Sequence, residues 1–202
     1  NFNNIVYIPS YQRGYRWTPN EVEDLLNDIS EFTPRPVDEN DEKTWYCLQP
    51  IIVKKNENKQ FEVIDGQQRL TTIYLILHYL NQGYIEERRV KLFELNYETR
   101  KNSTEFLKNL TENTKSIDNI DFYHISNAYQ AICNWFKRPN FDQSNFESKF
   151  KFNSKVIWYE SSETDAIAIF TRINIGKIPL TNAELIKALF LNSSNFDKNL
   201  ND

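Results

Sequence analysis

Residues Val63–Tyr74 read Val-Ile-Asp-Gly-Gln-Gln-Arg-Leu-Thr-Thr-Ile-Tyr, which is a strand, a tight turn and a helix start in quick succession. Two β-branched residues run into Asp65-Gly66, and Leu70, Ile73, Tyr74 and Leu77 then recur at helical spacing. Such a turn aims unpaired backbone N–H groups and the positive end of a helix dipole at one spot, where anions bind well. Arg69 adds a planar fork of donors suited to phosphate, and Asp65, Gly66, Gln67, Gln68 and Thr72 surround it. The pair Asp65 and Gln68 also has the spacing of a capping box, which contributes about 0.5–2 kcal/mol with no ligand at all. Capping leaves Arg69 unexplained, because a first-turn arginine opposes the helix dipole.

Two further stretches share this character. Ile8–Trp17 (Ile-Pro-Ser-Tyr-Gln-Arg-Gly-Tyr-Arg-Trp) follows a candidate strand at Ile5–Ile8, and Pro9 and Gly14 mark it as a shaped loop. Phe170–Leu180 (Phe-Thr-Arg-Ile-Asn-Ile-Gly-Lys-Ile-Pro-Leu) lies between two helical patterns. Three of the chain's four glycines (Gly14, Gly66, Gly176) fall in the three boxes, with Arg13, Arg16, Arg69, Arg172 and Lys177. Core packing does not demand that scarce glycines and strong anion donors cluster. If the boxes converge, they make a pocket of arginines and backbone N–H groups suited to a polyphosphate.

Between the boxes the pattern is coarser. Thr18 to Glu21 is a capping box with Pro19 at the first helical position, ahead of Val22, Leu25, Leu26, Ile29 and Phe32 on one face. Residues 33–44 read as an exposed acidic loop, and Leu48–Lys55 with Gln60–Ile64 as a hairpin around Asn56–Asn58. Val90–Leu95 reads as a further strand. Helices are expected near Thr104–Leu110 and over Phe122–Phe136, then a strand at Lys155–Tyr159. Ser162 to Asp165 and Thr181 to Glu184 have capping-box spacing ahead of two more helices. The divisions that follow are a core at 1–95, a helical insertion at 96–152, a return segment at 153–192 that completes the site, and a frayed tail at 193–202.

Composition narrows the function. The chain has 202 residues, no Met and a net charge of −4. It begins at Asn1 and reads as a piece of a longer, cytoplasmic protein. The charge disfavours a surface made for sequence-independent DNA binding. No apolar run approaches the roughly 20 residues of a membrane span. Cys47 and Cys133 stand alone and read as buried filler, and His78 and His124 lack metal-ligand spacing and read as structural. Tyr11, Tyr15 and Trp17 are read first as core, with stacking on a base as the alternative. A Walker A loop, a dinucleotide fingerprint, a hydrolase triad and an HNH pattern are all missing.

The three boxes, in this order, resemble the N-terminal domain of GmrSD-type restriction enzymes, itself similar to the ParB/sulfiredoxin superfamily. Asp65-Gly66-Gln67-Gln68-Arg69 followed by Leu70-Thr71-Thr72 is the most characteristic part. The resemblance runs from Ile5 to Leu191 and touches 96–152 least. It implies an α+β fold: a ParB/sulfiredoxin-like core of a small mixed sheet with flanking helices, plus the helical insertion. It implies a module that binds and hydrolyses a nucleoside triphosphate (NTP) with Mg²⁺. In that family the module serves modification-dependent anti-phage restriction and gates a C-terminal HNH-type nuclease that cuts DNA. Carried over, Gln12, Arg13, Gln68, Arg69 and Arg172 would contact phosphates and Asn174 the metal, while Asp65 or Gln67 would position the attacking water. Arg16, Gly66, Thr72 and Lys177 complete the expected nucleotide site. Sulfiredoxin-like redox chemistry needs a cysteine before the arginine, where this chain has Gln67 and Gln68. The competing expectations are a non-enzymatic DNA-binding module with an arginine-rich cleft, and a domain that is itself a nuclease.

Overall fold

The computed structural model describes residues 5–37, 42–58, 60–117 and 119–162. Five strands form one mixed sheet: β1 (Ile5–Ile8), β2 (Tyr46–Lys55), β3 (Phe61–Asp65), β4 (Glu94–Tyr97) and β5 (Ser154–Glu160). Their order is β4-β1-β3-β2-β5. The β2–β3 hairpin is the antiparallel pair, with Val53 opposite Val63, and the other three pairings are parallel. Flanking helices complete the small mixed sheet expected of an α+β chain.

Sheet direction decides where a site can form. β4, β1 and β3 are neighbours that all run the same way, so their carboxyl ends share one edge. The loops leaving that edge are the Pro9–Trp17 box after β1, the Gly66 turn after β3 and the 98–102 turn after β4. In open sheets with parallel strands, ligands settle outside such carboxyl ends.

Among the described residues five α-helices flank the sheet or one another: α1 (Pro19–Glu31), α2 (Gln67–Gln82), α3 (Ser103–Lys108), α4 (Ile120–Phe136) and α5 (Gln143–Phe152). In α1 the Glu21 carboxylate accepts from the Thr18 amide at 2.7 Å and from its hydroxyl at 2.5 Å, closing the end that Pro19 opens. Val22, Leu25, Leu26 and Ile29 of α1 are buried, as their spacing requires. α2 is buried nearly all round, since it packs on β2 and on α4, and its first turn carries buried glutamines and threonines. Leu107 of α3, Tyr129 and Ile132 of α4, and Phe146 of α5 join the same core as Val6, Val63 and Leu75. Trp135 stands edge-on to Phe141 and Phe146, with its indole N–H on Asn27 of α1 at 2.9 Å.

Three local expectations are corrected. β4 lies at Glu94–Tyr97 rather than Val90–Leu95, because its register is set by pairing with β1 from Ile5–Glu94 to Ile8–Tyr97. α5 is a helix between the expected Phe122–Phe136 helix and Lys155–Tyr159 strand, where no element is expected; Asp142 caps it, and Phe146 and Phe150 bury one face. Cys47 is exposed on β2, and only Cys133 is buried filler, where burial raises its thiol to about 11. No helix among the described residues is long and apolar enough to cross a membrane.

Candidate nucleotide site

Gly66 is the hinge of the site. Its φ of +93° lies in the left-handed region, and a Cβ there would stand 3.2 Å from the Pro50 carbonyl oxygen and the Ile51 Cα. Glycine alone makes this turn without strain. Helix α2 therefore starts at Gln67 with Gly66 as its N-cap. The expected Asp65–Gln68 capping box is not closed by Gln68, whose side chain reaches across to the first box instead.

Three glutamines knit the two boxes together. Gln12 Nε2 donates to the carbonyls of Ile64 at 2.5 Å and Val63 at 3.3 Å, at the end of β3. Gln67 Nε2 donates to the Arg13 carbonyl. Gln68 Nε2 donates to the Gly14 carbonyl at 3.0 Å, while its Oε1 accepts from the amides of Arg16 at 2.8 Å and Trp17 at 3.3 Å. Below them the Tyr15 hydroxyl meets Thr72 Oγ1 at 2.8 Å, and the Tyr97 hydroxyl meets Thr71 Oγ1 at 2.6 Å. Burial pushes both phenols far above their ordinary value, so they stay protonated. Tyr15 is thus core, and Tyr11 is also buried, its hydroxyl donating to Glu62 at 2.8 Å.

The charged groups are disposed differently. Arg13 is exposed, and its guanidinium has no hydrogen-bond or ion-pair partner among the described residues. Arg69 lies toward β2, where Nη1 donates to Gln49 Oε1 at 2.7 Å and Nη2 to the Pro50 carbonyl at 2.8 Å, with Asp65 3.8 Å away. Gln49 holds a positive φ of 66° at a register shift in β2, and that irregularity turns its amide to Arg69. Burial lowers the Arg69 pKa and Asp65 opposes the shift. Two polar atoms in this turn are buried without a hydrogen-bond partner among the described residues: Gln67 Oε1 and Arg69 Nε.

Sequence reasoning missed Arg100 and Asp121. Asp121, in the first turn of α4, is buried between the guanidiniums of Arg16 and Arg100. Its carboxylate also fills the space beside Gly14, where a Cβ would collide with it. The pairing joins positions 16 and 121, a separation that periodicity cannot bridge.

Gln12, Arg13, Arg16, Asp65, Gly66, Gln67, Gln68, Arg69 and Thr72 are therefore brought to one edge of the sheet. Arg172, Asn174, Gly176 and Lys177, the partner Asp165 of Ser162, the Thr181–Glu184 pair and the two helices expected after them lie outside the described residues. His78 is buried, with Nε2 3.0 Å from the Leu110 carbonyl oxygen, which agrees with a structural role. Among the described residues no group of three His, Cys, Asp or Glu side chains could hold a metal by itself.

No curated protein matches the chain. The family model described as the GmrSD restriction endonuclease N-terminal domain matches residues 1–191, which span both boxes, the sheet and all the described helices. The chain belongs to this family and has a role in a restriction system.

Proposed function

We propose that the sheet edge at the carboxyl ends of β4, β1 and β3 binds a nucleoside triphosphate and hydrolyses it. In this reading the domain is the regulatory NTPase of a modification-dependent, anti-phage restriction system and gates a C-terminal HNH-type nuclease. One observation carries it: three buried glutamine side chains clamp the Arg13 loop onto the Asp65–Arg69 turn, while the Arg13 guanidinium is left exposed.

The residues divide by what they already hold. Arg13, exposed, is the leading phosphate donor; Arg16 and Arg69 add the guanidinium N–H groups not spent on Tyr15, Asp121, Gln49 and Pro50, and the backbone amides after Gly66 add the positive end of α2. Gln12, Gln68 and Thr72 serve the nucleotide through the loops they fix, because their side-chain groups are engaged. Gln67 Oε1, buried and unpartnered, supplies an acceptor that can orient a water, with Asp65 beside it as the carboxylate of the turn. Mg²⁺ arrives with the nucleotide, held chiefly by phosphate oxygens as such ions usually are. Asn174 is assigned to it, and Arg172 and Lys177 to the phosphates, on the family resemblance.

The test is phosphate release by the purified chain with each NTP and Mg²⁺, run beside a cleavage assay on plain and modified duplex DNA. The expected result is NTP hydrolysis with both DNAs intact, and cutting only when the C-terminal nuclease is restored. Donors such as Arg and Gln hold phosphates but cannot act as a metal-bound base. Metal-dependent nicking that disappears in Arg69→Ala or Asn174→Ala would overturn this reading in favour of a nuclease.

A further inference from the structure

The Arg16–Asp121–Arg100 cluster extends the site to a part of the chain that no sequence box covers. Arg16 comes from the loop after β1, Arg100 from the turn after β4 and Asp121 from the first turn of α4. Two guanidiniums thus share one carboxylate. The amino end of α4 adds its own positive partial charge, and Asn119 caps it with a neutral side chain. The nearby carboxylate of Glu98 accepts the Ser10 amide at 2.5 Å, and the Tyr97 phenol stays neutral. Arg16, Arg100 and Asp121 by themselves sum to one positive charge, at the same sheet edge as Arg13 and Gly66.

Exposure says which groups an incoming anion meets. The Asp121 side chain is 1% exposed, whereas Arg16 is 36% and Arg100 20% exposed. The carboxylate lies behind the guanidiniums, so an incoming ligand meets the arginines first. The carboxylate fixes them, as a buried counter-ion fixes a donor fork. Other contacts hold both arginines to the nucleotide turn. Arg16 donates its amide to Gln68, and the residue before the Arg100 turn that matters, Tyr97, bonds Thr71 of α2.

We propose that Arg16 and Arg100 form a phosphate subsite of the nucleotide pocket, with Asp121 as the residue that positions both guanidiniums. The proposal rests on the NTP reading above and adds Arg100 and Asp121 to it. The ligand class is the triphosphate itself, independent of the base.

Inorganic triphosphate is the probe, because it has no base to bind elsewhere. Calorimetric titration of the parent chain and Arg100→Gln should show affinity about tenfold or more weaker in the variant, as for loss of a charge-assisted hydrogen bond. Asp121→Asn should melt lower than the parent and gain a smaller rise in melting temperature on adding triphosphate, since the two guanidiniums then lose the group that positions them. Sodium chloride at matched ionic strength should not reproduce that rise. Parent-like triphosphate affinity in Arg100→Gln would overturn this proposal and leave the NTP reading standing. So would a parent-like rise in a folded Asp121→Asn. Failure of the parent to bind triphosphate or any NTP would overturn both. If Asp121→Asn does not fold, the Arg100→Gln titration decides alone.

Discussion

Two groups of side chains at this sheet edge are built from different chemistry. On one side, Gln12, Gln67 and Gln68 are neutral, buried and bonded to backbone groups of the facing loop. On the other, Arg16 and Arg100 stay partly exposed and share a sealed carboxylate, and Arg13 is exposed. Neutral amides bonded in a low-dielectric interior fix a shape and respond little to salt. Guanidiniums with a solvent face keep their charge for a ligand, and they respond to ionic strength. In the proposed site the amide group sets the form of the loops, and the arginine group would supply the affinity.

The largest effect is expected on the amide side. Gln68→Ala would strand the Gly14 carbonyl and the Arg16 amide in a buried loop contact, at about 3 kcal/mol in all. Thermal melting should fall by about 6–12 °C in a chain of this size. A parent-like melt would mean that the glutamine clamp is not what holds the loops.

Next comes the charged side. Arg69→Ala should weaken NTP binding by about 2 kcal/mol, seen by titration, and the fold should persist because Gly66 and Gln68 still set the turn. Unfolding of this variant, or unchanged affinity, would remove the contrast between the two sides.

Alkaline pH sharpens the comparison, since the buried layer beneath the clamp is rich in tyrosine. Burial first, then Glu94, pushes the Tyr74 phenol up to about 12. Its folded pKa is raised above the unfolded value, so its contribution is complete below pH ~10 and is lost as pH rises toward 12. Urea midpoints should fall across that window, and less steeply in Tyr74→Phe. An equal slope in the two proteins would show that Tyr74 does not titrate with unfolding.

The smallest effect lies at Glu21, outside the proposed site. Burial raises its pKa, but the Thr18 hydroxyl and amide outweigh that and hold it below the ordinary range. A depressed folded pKa gives stability that is present above about pH 4.3 and lost as pH falls. Glu21→Gln should cost about 0.5 kcal/mol at neutral pH and flatten this acid limb in denaturant melts. An unchanged acid limb would remove Glu21 from the account.

Much of this arrangement was legible in the sequence where the signals are local. Asn56–Asn58 between two apolar runs gave away the hairpin, and Thr18, Pro19 and Glu21 gave away the start of α1. Gly14 and Gly66 marked loops that do converge. What stayed hidden depends on distant partners. The register of β4 follows β1, and the role of Asp121 follows Arg16 and Arg100. Gln68 has capping-box spacing from Asp65, and only the facing loop shows that its amide is engaged elsewhere. Cys47 looked like filler because a lone cysteine carries no sign of which strand face it occupies.

Binding of a nucleotide at this sheet edge, and not of a DNA backbone, is the central proposal. Calorimetric titration of the chain with each NTP, with and without Mg²⁺ and at low and high salt, tests it most directly. The account predicts saturable, Mg²⁺-dependent NTP binding that discriminates among NTPs and is weakened in Arg69→Ala. No NTP binding under any condition, together with duplex DNA binding that collapses steeply with salt, would contradict it.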